Sequence, residues 1–102
     1  MDLQTYQDQR KQFAFYSGSE TIDDLTYTVL ALCGEAGELA NKLKKYHRSR
    51  TTPDKLVLAD ELGDVFWYVA AVATELGMTL DEVAEMNLAK LAARKANDVI
   101  TG

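Results

Sequence analysis

Apolar positions along this chain recur with the period of an α-helix almost from end to end. Leu25, Val29, Leu32, Ala36, Leu39 and Leu43 step by four and three, and so do Leu58, Leu62, Val65, Val69, Val72 and Leu76. Such spacing puts an apolar stripe along one face of a helix, the seam of a packed pair. No period-two alternation stands out, and no hairpin dipeptide sits between strand-like runs. Four helices are predicted. The first covers residues 3–15 and is broken by Ser17, Gly18 and Ser19 in a loop over residues 16–24. Asp23 or Asp24 caps the second, which runs to about residue 46. Residues 47–52 form a basic, polar connection. Thr52 caps the third helix, with Pro53 in its first turn, where a missing N–H costs nothing. That helix ends near Gly77. Thr79, Leu80, Asp81 and Glu82 form a capping box that opens the fourth, which fades before Gly102. Short connections make neighbouring helices antiparallel. The expectation is therefore an all-α antiparallel bundle of four main helices, one domain over residues 1–102.

The third helix breaks the amphipathic pattern. Residues 65–73 are apolar on every side, and a helix apolar all round must be covered all round. The first helix can cover little of it, being largely polar with Gln4, Gln7, Asp8, Arg10, Lys11 and Gln12. A homodimer or homotetramer is expected to complete the bundle, with the third helix at its centre.

Composition narrows the partners. The formal net charge is -5, whereas a domain that grips a nucleic-acid backbone usually carries a basic surplus, so no nucleic-acid polymer is expected. The longest fully apolar run is far short of a membrane span, and the polar residues 1–12 do not read as a signal peptide. One cysteine, Cys33, allows no intrachain disulfide. A cytoplasmic protein is expected, or the intracellular product of a virus or plasmid. An acidic chain can still bind a phosphorylated small molecule when a divalent metal stands between the negative charges.

Two acidic pairs interrupt the helical seams. Glu35 and Glu38 are three apart on the second helix, and Glu61 and Asp64 are three apart on the third. Residues i and i+3 lie about 60° apart around a helix and about 4.5 Å along it, so each pair projects from one face. Each acid immediately precedes a seam residue: Ala36, Leu39, Leu62 and Val65. Both pairs thus flank the buried stripe on the same side, and antiparallel packing can gather all four at the edge of the core. Four carboxylates that close repel one another and raise their own pKa values, a conflict that a divalent cation removes. All-oxygen ligation suits Mg²⁺, or Mn²⁺ as a substitute, and not zinc. Gly34, Gly37 and Gly63 stand beside these acids inside helices, each at a cost of roughly 1 kcal/mol relative to alanine. Local conflicts of that kind are expected where function or a close backbone approach demands them.

The stretch Gly34-Glu35-Ala36-Gly37-Glu38-Leu39-Ala40, followed by Asp60-Glu61-Leu62-Gly63-Asp64-Val65, resembles the E-x-x-E … E-x-x-D signature of the MazG family. The 22 residues between Glu38 and Glu61 fall within the range that family allows. The likeness runs over residues 6–95 and is to short, single-domain members often found in phages. It implies Mg²⁺-dependent hydrolysis of a (deoxy)nucleoside triphosphate between its α- and β-phosphates, giving monophosphate and pyrophosphate. It implies Glu35, Glu38, Glu61 and Asp64 as metal ligands and dimers or tetramers with active sites near subunit contacts. Asn87, Lys90 and Arg94 match the family's Asn-x-x-Lys-x-x-x-Arg pattern on the last helix, where an amide and two cations suit a polyphosphate. The chain departs from members that carry a lysine four residues before each acidic pair, since Ala31 and Val57 stand there. Lys42 and Lys45 either replace those cations or are surface residues.

Within this reading Glu38 is the carboxylate that orients or deprotonates water, and Lys90 and Arg94 hold the leaving group. Trp67 lies three residues past Asp64 and can reach the same cleft to stack the base. Phe13, Phe15 and Tyr16 can close it, although core packing also accounts for aromatics at such positions. Cys33 is expected to be a buried small apolar residue and His47 a helix C-terminal cation. The lone histidine excludes a ferritin-like di-iron site, which needs Glu-x-x-His pairs. The alternative from another class is a non-enzymatic helical oligomerisation module with an acidic face.

Overall fold

The computed structural model describes residues 1–16 and 22–97. Ser17, Gly18 and Ser19, read as loop breakers, lie outside the described residues, as does the tail after Asn97. Four α-helices follow in order: α1 (Leu3–Gln9), α2 (Ile22–Ser49), α3 (Lys55–Glu75) and α4 (Leu80–Ala96). There is no strand among the described residues, and the all-α class holds. Nor is any described helix long and apolar enough to cross a membrane.

Several boundaries differ from the sequence reading. The first helix stops at Gln9 and tightens into a 3₁₀ turn over Arg10–Phe13. Asp23 and Asp24 sit inside the first turn of α2, where their charge favours the helix dipole, and do not precede it as caps. That helix also runs on to Ser49. Arg50, at φ 57°, adopts the left-handed conformation that ends it. Asp54, not Thr52, caps α3: its carboxylate accepts from the Leu56 and Val57 amides at 2.9 and 3.4 Å. Pro53 therefore stands before the cap rather than in the first turn. The capping box is as expected: Thr79 Oγ1 accepts from the Glu82 amide at 3.1 Å, and Glu82 accepts from the Thr79 amide at 2.9 Å.

α2 and α3 form a long antiparallel hairpin, the main packed pair of the molecule. Its contact stripe is not the predicted one. Thr28 and Ala71 are fully buried, Asp24, Tyr68 and Glu75 nearly so, and Glu35, Lys42 and Glu61 are half-buried. On α3 the positions 57, 61, 64, 68, 71 and 75 again step by four and three, one residue round the helix from the apolar seam. The apolar seam is only partly covered: Val65, Val69 and Val72 are half-buried, while Leu62 is 55% and Leu76 54% exposed. Of the four acids expected at the edge of the pair, Glu35 and Glu61 are half-buried in it, while Glu38 and Asp64 are exposed.

α1 and α4 meet the hairpin at the end remote from its turn. Ala70, Ala73 and Leu80 make a small buried cluster, packed by Tyr6, Val69 and Val83. Gln7, on the polar first helix, is buried and ties this corner together. Its amide donates to Thr74 Oγ1 at 3.0 Å and to the Met78 carbonyl at 2.9 Å, and its oxygen accepts from the Leu80 amide at 2.9 Å. One side chain thus supplies partners to the α3–α4 turn and to the first turn of α4. The Cα radius of gyration is 16.2 Å, whereas a compact chain of ~100 residues has about 13 Å.

Candidate metal centre

The hairpin register brings α2 acids opposite α3 acids. Glu35, Glu61 and Asp64 each offer a carboxylate oxygen, and these oxygens lie within 4.8 Å of one another. Glu35 and Glu61 are half-buried and Asp64 is exposed. Burial is the first cause that raises the Glu35 carboxyl above its usual value of 4.5; the charges of Asp64, Glu61 and Glu38 add to it in that order. Three acids converge where a cation would relieve both effects.

Glu38 is not one of the three. It stands one turn further along α2, exposed, and acts on Glu35 through its charge. Lys42, a turn beyond it, reaches Glu61 with its ammonium 3.9 Å from the carboxylate. Asn87 and Lys90 are exposed on α4 and Arg94 is half-buried; among the described residues none makes a hydrogen bond or ion pair with the acidic cluster.

Aromatic rings adjoin the acids. Phe13, Phe15, Trp67 and Tyr68 line a cavity of about 250 Å³ together with Glu35 and Asp64. Trp67 and Tyr68 meet edge to face at 4.9 Å, and Tyr16 meets Trp67 in the same manner at 6.3 Å. The Tyr68 hydroxyl is pushed up to about 12, first by burial, then by its hydrogen bond with Tyr27 and by the charge of Glu35. A larger hollow of about 800 Å³ lies at the hairpin turn, lined by Leu43, Tyr46, His47 and Arg50 among others, but no carboxylate borders it. The chemistry selects the smaller one.

Tyr68, Tyr27 and Arg10 were not singled out from the sequence. Tyr68 had a usable signal, because it lies four residues past Asp64 and so continues the acidic stripe. Arg10 had none, being one cation on a polar segment. Two expectations are corrected. Cys33 is exposed, because it lies off the contact stripe of α2. Nor do the glycines mark a close approach within the chain, since a Cβ added at Gly34, Gly37 or Gly63 would meet no atom within 4 Å.

Residues 24–99 match the model of the MazG nucleotide pyrophosphohydrolase domain. The chain therefore belongs to the MazG family of all-α nucleotide pyrophosphohydrolases. It is 41% identical to the gene 37 protein of Mycobacterium phage L5, in an alignment covering 100% of this chain and 96% of that one. It is also 35% identical to the protein YvdC of Bacillus subtilis (strain 168), over 62% of this chain and 68% of that protein. No solved structure matches at a significant level.

Proposed function

We propose that this chain hydrolyses (deoxy)nucleoside triphosphates to the monophosphate and pyrophosphate, using Mg²⁺, with Mn²⁺ as a substitute. The observation that carries the reading is the convergence of Glu35, Glu61 and Asp64 beside an aromatic cavity, in a chain of this family. The donor set fits the metal: hard carboxylate oxygens, crowded enough that burial and like charge hold Glu35 above its ordinary value. A bound Mg²⁺ supplies charge neutralisation for the phosphates and acidifies its water.

The residues then divide the work. Glu35, Glu61 and Asp64 hold the metal. Glu38, adjacent but outside the trio, completes the set and orients or deprotonates the attacking water. Lys42, already drawn to Glu61, neutralises a phosphate oxygen. Trp67 stacks the base. Asn87, Lys90 and Arg94 contact the polyphosphate and its leaving group. The working form is a homodimer or homotetramer in the cytoplasm, host cytoplasm for a phage-encoded protein. An apolar hollow of about 460 Å³ on α3, lined by Leu62, Gly63, Phe66 and Val69 with Ala59 and Val65, supports the assembly. The extended shape supports it too.

A panel of NTPs and dNTPs with Mg²⁺, with products resolved as monophosphate, diphosphate, phosphate and pyrophosphate, tests the reading. Monophosphate and pyrophosphate in equal amounts are expected. Release of phosphate and diphosphate, or no turnover of any nucleotide, overturns it.

A further inference from the structure

Arg10 is 3% exposed, although it sits on a polar segment at the surface end of α1. A guanidinium is costly to bury unless something compensates it. Here part of the compensation is aromatic. Its central carbon lies 4.9 Å from the middle of the Trp67 ring, and Nη1 donates to the Tyr16 hydroxyl at 3.0 Å. The Tyr16 hydroxyl is raised first by burial, against which Arg10 works, with the charges of Glu75 and Asp24 adding to the rise. The corner is thus a small buried polar cluster built around one cation.

Two geometric consequences follow. Trp67 has a guanidinium on one face and ring contacts from Tyr16 and Tyr68 at its edges, so its indole is held in one orientation beside Glu35 and Asp64. Arg10 also opens the 3₁₀ turn Arg10–Phe13. Phe13 and Phe15 follow on the same short stretch and remain 67% and 76% exposed while bordering the cavity. The exposed rings therefore hang from a segment whose anchor is the Arg10–Trp67 stack.

We propose that Arg10 is a positioning residue for the nucleobase: it fixes Trp67 as one wall of the base site and pins the turn that carries Phe13 and Phe15 as the opposite wall. The ligand this defines is a planar aromatic group joined to a phosphate chain at the acids. The proposal rests on the nucleotide reading of the acidic site. Arg10 touches no reacting atom, so its effect falls on binding and not on the hydrolytic step.

The chain has a single tryptophan, so its fluorescence reports on Trp67 alone. The full-length protein, Arg10→Met, Arg10→Lys and Tyr16→Phe would be compared in two measurements: acrylamide quenching without nucleotide, and steady-state kinetics with the best NTP and Mg²⁺. Arg10→Met should roughly double the quenching constant and raise KM about tenfold, with kcat within about threefold. Arg10→Lys should recover less than half of the loss, because an ammonium lacks the planar fork that stacks and donates together. Tyr16→Phe should raise KM about two- to fourfold. A merely structural role would lower the active fraction, reducing kcat at constant KM, and that result overturns the proposal. So does wild-type quenching and KM in both Arg10→Lys and Tyr16→Phe, which keep the test decisive where Arg10→Met does not fold. A wild-type protein that neither turns over a nucleotide nor changes its Trp67 emission when one is added overturns the functional reading, and the base site with it. Altered KM in the variants at unchanged quenching overturns the Trp67 wall alone.

Discussion

Helix α3 carries two stripes that differ in the opposite sense from the usual rule. The inner one, Glu61, Asp64, Tyr68, Ala71 and Glu75, is rich in polar groups and packs against α2. The outer one, Leu62, Val65, Phe66, Val69 and Leu76, is apolar and only partly covered: Tyr6 stacks on Phe66 and Val69 packs on the buried cluster, but Leu62 and Leu76 are more than half exposed. A single chain that optimised its own burial would turn the helix by one residue. On the proposed function, two different partners account for the orientation of α3. The acidic stripe faces α2, where Glu61 and Asp64 meet Glu35 and the three could share one proposed cation. The apolar stripe faces outward because a second copy of the chain is proposed to cover it.

The largest effect is expected from neutralising the acids of the inner stripe and those of α2. Glu35→Gln, Glu38→Gln, Glu61→Gln and Asp64→Asn should each lower kcat at least about a hundredfold, measured as pyrophosphate release. Lys90→Ala and Arg94→Ala should act mainly on KM, having no acid to remove. Full activity in any acid variant takes that residue out of the centre.

The outer stripe is broken by making it polar. Phe66→Ser or Leu62→Ser should weaken the assembly by about 1.5–3 kcal/mol per contact made, visible as dissociation in sedimentation across a hundredfold dilution while the acids stay intact. A wild-type chain that sediments as a helical, active monomer at micromolar concentration removes the second copy from the argument.

The smallest effect concerns protons. Glu35 has a folded-state value raised above 4.5, so the folded chain binds its proton more tightly than the unfolded chain does. Its contribution to stability is therefore unfavourable at neutral pH. That penalty is relieved as pH falls through the raised value and is gone below 4.5. In EDTA the melting temperature should rise modestly on mild acidification. Glu35→Gln should melt slightly higher than wild type at pH 7 and lack that part of the pH response. A fall in melting temperature for this variant in EDTA assigns Glu35 a structural role.

The helices and the acidic pairs were legible because both are short-range patterns. A spacing of three places Glu61 beside Asp64 whatever else the chain does, and the Thr79–Glu82 box closes on itself. The phase of the hairpin was not legible in the same way. Apolar periodicity marks the greasiest face, and on α3 that face is the outer one. Reading the apolar seam as the contact stripe put that stripe one residue from its actual position, which passes through Glu61 and Asp64. The start of α3 was misplaced because Thr52 and Asp54 both carry capping oxygens around Pro53, and only the backbone shows which one precedes the first turn. Arg10 and Gln7 were read only as part of a polar helix, because a buried polar residue leaves no mark on hydropathy. Each is explained by partners that lie far along the chain, Trp67 for one and Leu80 for the other.

The Gln7 knot has a kinetic meaning. Its bond to the Leu80 amide joins positions 73 residues apart. The α2–α3 hairpin needs only a short loop to form, whereas this bond joins residues far apart along the chain, and closing a longer loop costs more entropy. The corner where α1 meets α4 is therefore expected to assemble after the hairpin. The Leu80 amide is an internal clock for that event. Its exchange with solvent deuterium reports when the two ends of the sequence have found each other, in a chain whose middle has already folded.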